Sequence, residues 1–289
     1  MLPHLLKRLP ASLSRYYEPF MGSAALYFAL VRENRVRQAT LSDTNQELVD
    51  TFIAVRDCVE QVMDLLRTYE YSHDFYYQMR AKDPETLPIA ERAARMIYLN
   101  KTGYNGLYRV NQKGKFNVPF GRYKSPRFYD RDNLICVSEA LQNTDIFWRP
   151  FDDILLYAQP GDVVYFDPPY VPVSVSSNFT SYHANGFGIE DQVQLANVYS
   201  ELTERGVLAI LSNSYTETVL ALYKRYDIHL APATRMINSN ASRRGKLLEV
   251  IVSNASVVGD TYDFDLIEQL RLLEHSQEYR VLIEPAAAD

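Results

Sequence analysis

The sequence holds only two cysteines, Cys58 and Cys136, which excludes a disulfide scaffold and a zinc site. Its longest wholly apolar stretches, such as Val207 to Leu211, fall far short of the ~18 residues a membrane helix needs. Eleven glycines and 14 prolines among 289 residues exclude collagen-like order and low-complexity disorder. The first thirty residues carry no secretory pattern, because their short apolar runs are broken by His4, Lys7, Arg8 and Arg15. Cytosolic residence, with no membrane partner, is the expectation. What is there instead is an apolar fraction of 47%, enough for a sizeable core, together with 22 tyrosines and a net charge of −6. On totals, that acidity argues against a nucleic-acid partner. The argument has to be repeated segment by segment.

Along the chain the pattern is α/β. A short N-terminal helix leads to a strand ending Arg15-Tyr16-Tyr17-Glu18, then a turn, Pro19-Phe20-Met21-Gly22-Ser23-Ala24, and an apolar helix to about Arg32. A second strand, Ala39 to Ser42, ends at Asp43, and a helix follows from Asn45. This β-turn-α-β opening, with an acid at the tip of the second strand, is that of a nucleotide-binding sheet. Residues 57–100 read as helices kinked at Asp83-Pro84. Residues 101–131, rich in Gly, Tyr, Asn and basic side chains, read as an ordered hairpin excursion. A helix near 132–142 precedes a buried strand at Val163 to Phe166, a helix at 189–204 and a strand at 207–211. A helix from Thr216 to Tyr226 and an antiparallel pair, Ile228 to Ala233 with Leu247 to Val252, complete the pattern. The expected division is a catalytic domain of residues 1–56 and 132–259, an inserted and mainly helical module of 57–131, and an acidic tail of 260–289.

The sharpest motif is Asp167-Pro168-Pro169-Tyr170, directly after the strand at 163–166. Ligands of open α/β sheets sit at the carboxyl ends of strands. The two prolines stop the strand and fix the Asp167 carboxylate near the following carbonyl. Two such acceptors suit an exocyclic amine on an aromatic ring. Holding both N–H bonds lets the nitrogen pyramidalise and turn its lone pair to a methyl donor. Tyr170 offers a face on which the planar base stacks. A strand-ending turn with a surface aromatic is the plainer reading of the tetrapeptide alone. The Gly22 turn and Asp43 supply the context that favours chemistry.

With these motifs together, the chain resembles the Dam family of DNA adenine-N6 methyltransferases, most closely its enterobacterial members, from about Leu9 to Asn254. The most specific stretches are Gly103-Tyr104-Asn105-Gly106-Leu107-Tyr108-Arg109-Val110-Asn111, then Gly114-Lys115-Phe116-Asn117-Val118-Pro119-Phe120-Gly121-Arg122-Tyr123, and Asn178-Phe179-Thr180-Ser181-Tyr182-His183. Their order, cofactor turn, recognition insert, then Asp-Pro-Pro-Tyr, is that of the family's alpha group. The resemblance implies a Rossmann-like, S-adenosylmethionine-dependent methyltransferase sheet with a C-terminal antiparallel strand pair, and an insert that recognises the DNA target. It implies transfer of a methyl group to an adenine flipped out of duplex DNA at GATC, without a metal, by a cytoplasmic, nucleoid-associated monomer of bacterial or phage origin.

Carried over residue by residue, Phe20 and Gly22 shape the cofactor pocket, Asp43 holds the ribose, and Phe151 with Asp152 or Asp153 lies near the cofactor adenine. Asp167 is shared between the target amine and the methionine end of the cofactor, beside Pro168 and Pro169, and Tyr170 stacks the base. In the insert, Arg109 reads a guanine edge, Leu107 and Pro119 touch other bases, and Asn105 beside Tyr104 fills the gap left by the flipped adenine. Asn111, Tyr123 and Lys124 contact the DNA backbone. Residues 101–131 carry eight Lys/Arg against the single acid Asp130, net +7, interleaved with aromatics. The 235–246 loop adds Arg235, Arg243, Arg244 and Lys246. His183 is expected to be no direct base, since the methylated amine can lose its proton late and to water.

Two departures stand out. Ala24 replaces a small glycine that the family usually has. The family's N-terminal Trp-Ala-Gly-Gly-Lys-type segment, which closes over the cofactor, has no counterpart after Met1, and Trp148 is the sole tryptophan. Either the start lies inside the natural reading frame or half a clamp is missing, at ~1–3 kcal/mol per lost contact. The second case gives the alternative function: a GATC-binding protein with little or no turnover.

Overall fold

The computed structural model describes residues 1–111, 113–171, 187–234 and 246–257. The 178–183 motif with His183, the 235–245 part of the basic loop and the acidic tail lie outside them. After the short helix α1 (Leu2–Leu6) come β1 (Leu13–Glu18), α2 (Ala25–Arg32), β2 (Val36–Asp43) and α3 (Gln46–Asp57). The helices α4 (Val59–Thr68), α5 (His73–Ala81) and α6 (Ile89–Thr102) follow, then α7 (Arg131–Leu141) and β3 (Thr144–Trp148). The chain continues through β4 (Val163–Phe166), α8 (Ile189–Glu204), β5 (Leu208–Ser214), α9 (Glu217–Tyr223), β6 (Tyr226–Thr234) and β7 (Lys246–Val257).

The seven strands form one sheet in the order β3-β2-β1-β4-β5-β7-β6. The pairs from β3 through β5 are parallel, and β7 runs antiparallel to both β5 and β6. The expected α/β class and C-terminal antiparallel pair are therefore present. All four residues of β4 are buried, because a central parallel strand is covered on both faces. The order reverses between β1 and β4, and the crevice at that switch point is where such sheets bind ligands.

Two elements differ from the sequence reading. The strand β3 is not legible: it is an edge strand whose apolar stretch is only Ile146-Phe147-Trp148 and in which only Thr144 and Ile146 are buried. The helix expected through Tyr226 stops at Tyr223; Tyr226 opens β6 instead, its ring packed edge-on to Tyr199 at 4.8 Å.

The helices of the 57–131 region share a core with the sheet. In α6, Arg95 is buried, ion-pairs with Glu47 of α3, and donates through Nε to the Met79 carbonyl of α5 at 2.9 Å. One turn away, Arg92 pairs with Asp50 of α3. Beyond α6 the chain makes an irregular hairpin with isolated bridges Gly103–Phe120 and Val110–Phe116. Tyrosine hydroxyls hold it: Tyr71 donates to the Gly121 carbonyl at 2.6 Å and Tyr76 to that of Val118 at 2.9 Å. Tyr76 lies on α5, whereas Tyr71 precedes it. A Cβ on Gly121 would stand 2.8 Å from the Thr102 carbonyl and 2.9 Å from that of Gly103, so close backbone approach explains this glycine.

Candidate active site

Three loops at the carboxyl ends of β1, β2 and β4 build the site. After β1, Gly22 takes φ +45 with open space above its α-carbon, as a turn that a ligand backbone approaches requires. Ala24 also adopts a left-handed φ of 50 and is fully buried, at ~1–2 kcal/mol for an L-residue. After β2, Asp43 ties two loops together: Oδ2 accepts from the Gly22 amide at 3.2 Å and Oδ1 from the Asn45 amide at 2.9 Å. A carboxylate at the end of the second strand is of the chemical type that accepts from sugar hydroxyls. Asn45 caps α3 by accepting from the Leu48 amide at 3.2 Å. The Trp148 indole donates to the neighbouring Thr44 carbonyl at 2.9 Å.

Phe20 and Phe151 stack, with centroids 5.2 Å apart and planes 23° apart. Phe187 closes the cluster edge-on to both. The two aspartates after Phe151 diverge. Asp152 accepts from Gln194 of α8 at 2.8 Å, whereas Asp153 lines a recess over the β1–β3 part of the sheet with Arg15, Arg149 and Tyr157.

Asp167, Pro168, Pro169 and Tyr170 follow β4. Asp167 is exposed on its outer side, with protein groups packed around its inner side. That enclosure pushes its carboxyl pKa up, while hydroxyls of Ser212, Tyr170 and Tyr165 hold it down. Ser212 Oγ lies 2.5 Å from Asp167 Oδ1 and 2.9 Å from the Tyr165 hydroxyl. The turn itself is gripped from β5 and α8. Asn213 Oδ1 accepts from the Val171 amide at 3.0 Å, Ser214 Oγ donates to the Val171 carbonyl at 2.5 Å, and Gln192 Nε2 donates to the Pro169 carbonyl at 3.0 Å. On β1, Glu18 is 2% exposed and accepts from Tyr16 at 2.8 Å. Burial pushes its pKa up to about 8, with the Asp167 charge adding to the rise and the Tyr16 hydroxyl opposing it. The sequence reading missed Ser212, Asn213, Ser214 and Gln192. The polar triplet at the carboxyl end of β5 was the available signal, by the strand-end rule that singled out Asp167.

The residues expected to meet DNA gather on the hairpin beyond α6. Tyr104 is exposed, and Asn105 is exposed at the turn tip with φ 55. Arg109 is exposed, its Nε donating to Asn117 Oδ1 at 2.7 Å, while Leu107 is half-buried and Pro119 exposed. Asn111 Oδ1 accepts from the amides of Lys113 and Lys115, closing the hairpin turn. Tyr123 donates to the Gly103 carbonyl at 3.1 Å, and Lys124 is exposed beside it. Asn105, Gly106 and Tyr123 share a shallow depression of about 520 Å³ with Lys101 and Arg127.

This strand order, with a glycine turn after β1, an acid after β2 and Asp-Pro-Pro-Tyr after β4, defines a Rossmann-like methyltransferase. The chain belongs to the D12 class of N6 adenine-specific DNA methyltransferases, whose family profile matches residues 1–237. It is 40% identical over 262 residues to the type II methyltransferase M1.LlaDCHI of Lactococcus lactis subsp. cremoris, covering 88% of this chain and 91% of that one. It is 37% identical to the type II methyltransferase M.MjaIII of Methanocaldococcus jannaschii, over 88% of this chain and 92% of that one. It is 34% identical to the DNA adenine methylase of Escherichia coli K12, over 81% and 84%. Among solved structures, M. capricolum TrmK with S-adenosyl-homocysteine aligns over 98% of this chain and 91% of that one, at a TM-score of 0.38 and 8% identity. The chain is thus an adenine-specific DNA methyltransferase, and S-adenosyl-L-methionine is its methyl donor. Among the described residues no helix is long and apolar enough to cross a membrane.

Proposed function

We propose that the substrate is the adenine of GATC in duplex DNA, flipped into the recess between Asp167 and Tyr170. The placement of Asp167 carries this reading: an anchored carboxylate at the switch point, opposite the Gly22 turn. When bound, the methyl donor supplies an electrophilic methyl group. The open space above Gly22, the Asp43 carboxylate at the end of β2 and the Phe20–Phe151–Phe187 cluster fit its methionine, ribose and adenine parts in turn. Asp167 and the adjacent backbone carbonyl accept the two N–H bonds of the adenine amine and orient its lone pair. Tyr170 stacks the base, and Pro168 and Pro169 keep the carboxylate from swinging away. The rate enhancement is one of positioning and electrostatics, with no covalent enzyme intermediate.

On the hairpin, Arg109 is preset by Asn117 to present its remaining N–H groups to a guanine edge. Leu107 and Pro119 contact neighbouring bases, and Tyr104 with Asn105 braces the gap in the stack. Asn111, Tyr123 and Lys124 contact phosphates. GATC rests on the family resemblance and on the enterobacterial methylases among the relatives. The proposed state is a monomer that modifies one adenine per encounter. The proposed location is the cytoplasm, at the nucleoid of a bacterial or phage-infected cell.

The test is methylation of a GATC duplex and, in a Dam-deficient host expressing the chain, methylation-sensitive digestion of its DNA. Asp167→Ala is expected to lower kcat by roughly 10²–10³-fold, the scale of losing one preorganised electrostatic contact. A wild-type rate in that variant refutes the assignment, and methylation at adenines outside GATC refutes the specificity.

A further inference from the structure

The carboxylate of Asp167 has two oxygens, and a terminal sp³–sp² torsion does not by itself select which one faces the substrate. The structure supplies a selector. Ser212 on β5 is fully buried, and its Oγ stands 2.5 Å from Asp167 Oδ1. The same Oγ lies 2.9 Å from the Tyr165 hydroxyl, which is buried on β4. A consistent assignment of protons has Tyr165 donating to Ser212 and Ser212 donating to Asp167. The next two residues of β5 hold the far end of the same turn: Asn213 and Ser214 bind the amide and carbonyl of Val171. Neighbouring side chains of one strand thus clamp both ends of Asp-Pro-Pro-Tyr.

We propose that Ser212 is a positioning residue that pins Asp167 Oδ1 to β5 through a Tyr165–Ser212–Asp167 hydroxyl relay, so that Oδ2 meets the adenine amine in one fixed orientation. The proposal rests on the reading of Asp167 as the acceptor of that amine. It separates Ser212 from residues that merely fill the core. A serine at the end of a buried strand satisfies its hydroxyl by donating to a backbone carbonyl, and here the Phe166 carbonyl is 3.5 Å away, beyond good hydrogen-bond range. The short contact goes to the carboxylate.

The groups facing Asp167 are Glu18 and Tyr16 on β1, Tyr165 on β4, Tyr170 in the turn and Ser212 on β5; Glu249 on β7 faces Tyr170. Of these, Ser212 provides the short hydroxyl contact to Oδ1. A donated hydrogen bond stabilises the ionised form, so removing it raises the pKa of Asp167. The amine needs the ionised form as acceptor.

The experiment compares wild type, Ser212→Ala, Ser212→Thr and Tyr165→Phe by kcat and KM for a GATC duplex across pH. Carboxyl ¹³C NMR of aspartate-labelled protein provides a readout independent of turnover. Ser212→Ala is expected to lower kcat by about 10- to 100-fold with KM nearly unchanged, and to move the acid limb and the Asp167 resonance to higher pH. Ser212→Thr, which keeps the hydroxyl on a β-branched side chain suited to a strand, is expected to restore both. Tyr165→Phe shifts them in the same direction by less, and decides the matter if Ser212→Ala does not fold. An unmoved Asp167 titration in Ser212→Ala, or a shift equal in Ser212→Thr, overturns the proposal. If wild type fails to methylate the duplex, the functional reading falls, while the NMR titration still judges the relay.

Discussion

Tyrosine is abundant here because the chain has much irregular backbone to satisfy. Buried carbonyls outside helices and strands need donors, and a tyrosine brings one on the end of an apolar ring. Tyr98 reaches the Glu70 carbonyl, and Tyr71 and Tyr76 hold the hairpin. The same device meets acids in the catalytic recess, where Tyr16 bonds Glu18. In the unfolded chain Glu18 titrates near the ordinary value of 4.5, against about 8 when folded. Between those limits the folded state holds a proton that the unfolded state has released. The contribution to stability is therefore complete below about 4.5 and is lost as pH rises through about 8. Glu18→Gln is expected to flatten the stability profile across that window by a few kcal/mol. Urea unfolding at a series of pH values measures it, and an equally steep profile in the variant refutes the role of Glu18. At this scale the strand-end rule found Asp43 and Asp167, since acids there are conspicuous. Ser212 and Tyr165 escaped because serine and tyrosine are common everywhere and declare a role only through their partners.

Elements were legible where burial imposes a single pattern. β4 reads directly as Val163-Val164-Tyr165-Phe166 because both of its faces are covered, whereas β3 lies at an edge with only Ile146-Phe147-Trp148 apolar and merges with its surroundings. The helical nature of the insert was evident from its periodicity, but its attachment was not. That attachment runs through Arg95, a buried guanidinium that no hydrophobic pattern marks. Its charge is met by Glu47, whose own pKa burial raises and Arg95 lowers. Arg95→Ala removes the ion-pair partner of the enclosed Glu47 and one donor from each of the Met79 and Arg80 carbonyls. The expected loss is about 3–5 kcal/mol, read as a lower midpoint of urea unfolding. A variant within 1 kcal/mol of wild type by the same measurement, against ~3 or more expected, contradicts this account of the α3–α6 seam.

For the molecule as a whole, net charge is a poor guide to partner. The total of −6 conceals the net +7 of residues 101–131, and it is the local field that meets a phosphate backbone. Lys124→Ala is expected to weaken duplex binding about equally for matched and mismatched sites. It should also reduce the slope of log affinity against log salt by about one. Anisotropy titrations between ~50 and ~200 mM salt measure both, and an unchanged slope removes Lys124 from the phosphate contacts.

The seam at Arg95 also governs how such an enzyme can diversify. Cys58 closes α3 and opens α4, so a cut at residue 57 falls between two abutting helices. It leaves Glu47 and Asp50 on one side and their arginines on the other. The hairpin beyond α6 is therefore no interchangeable cartridge: the smallest transplantable unit begins at Asn45, with the cap of α3. In the proposed reading, a change of target sequence is more accessible by point substitution along 104–124 than by exchange of the insert.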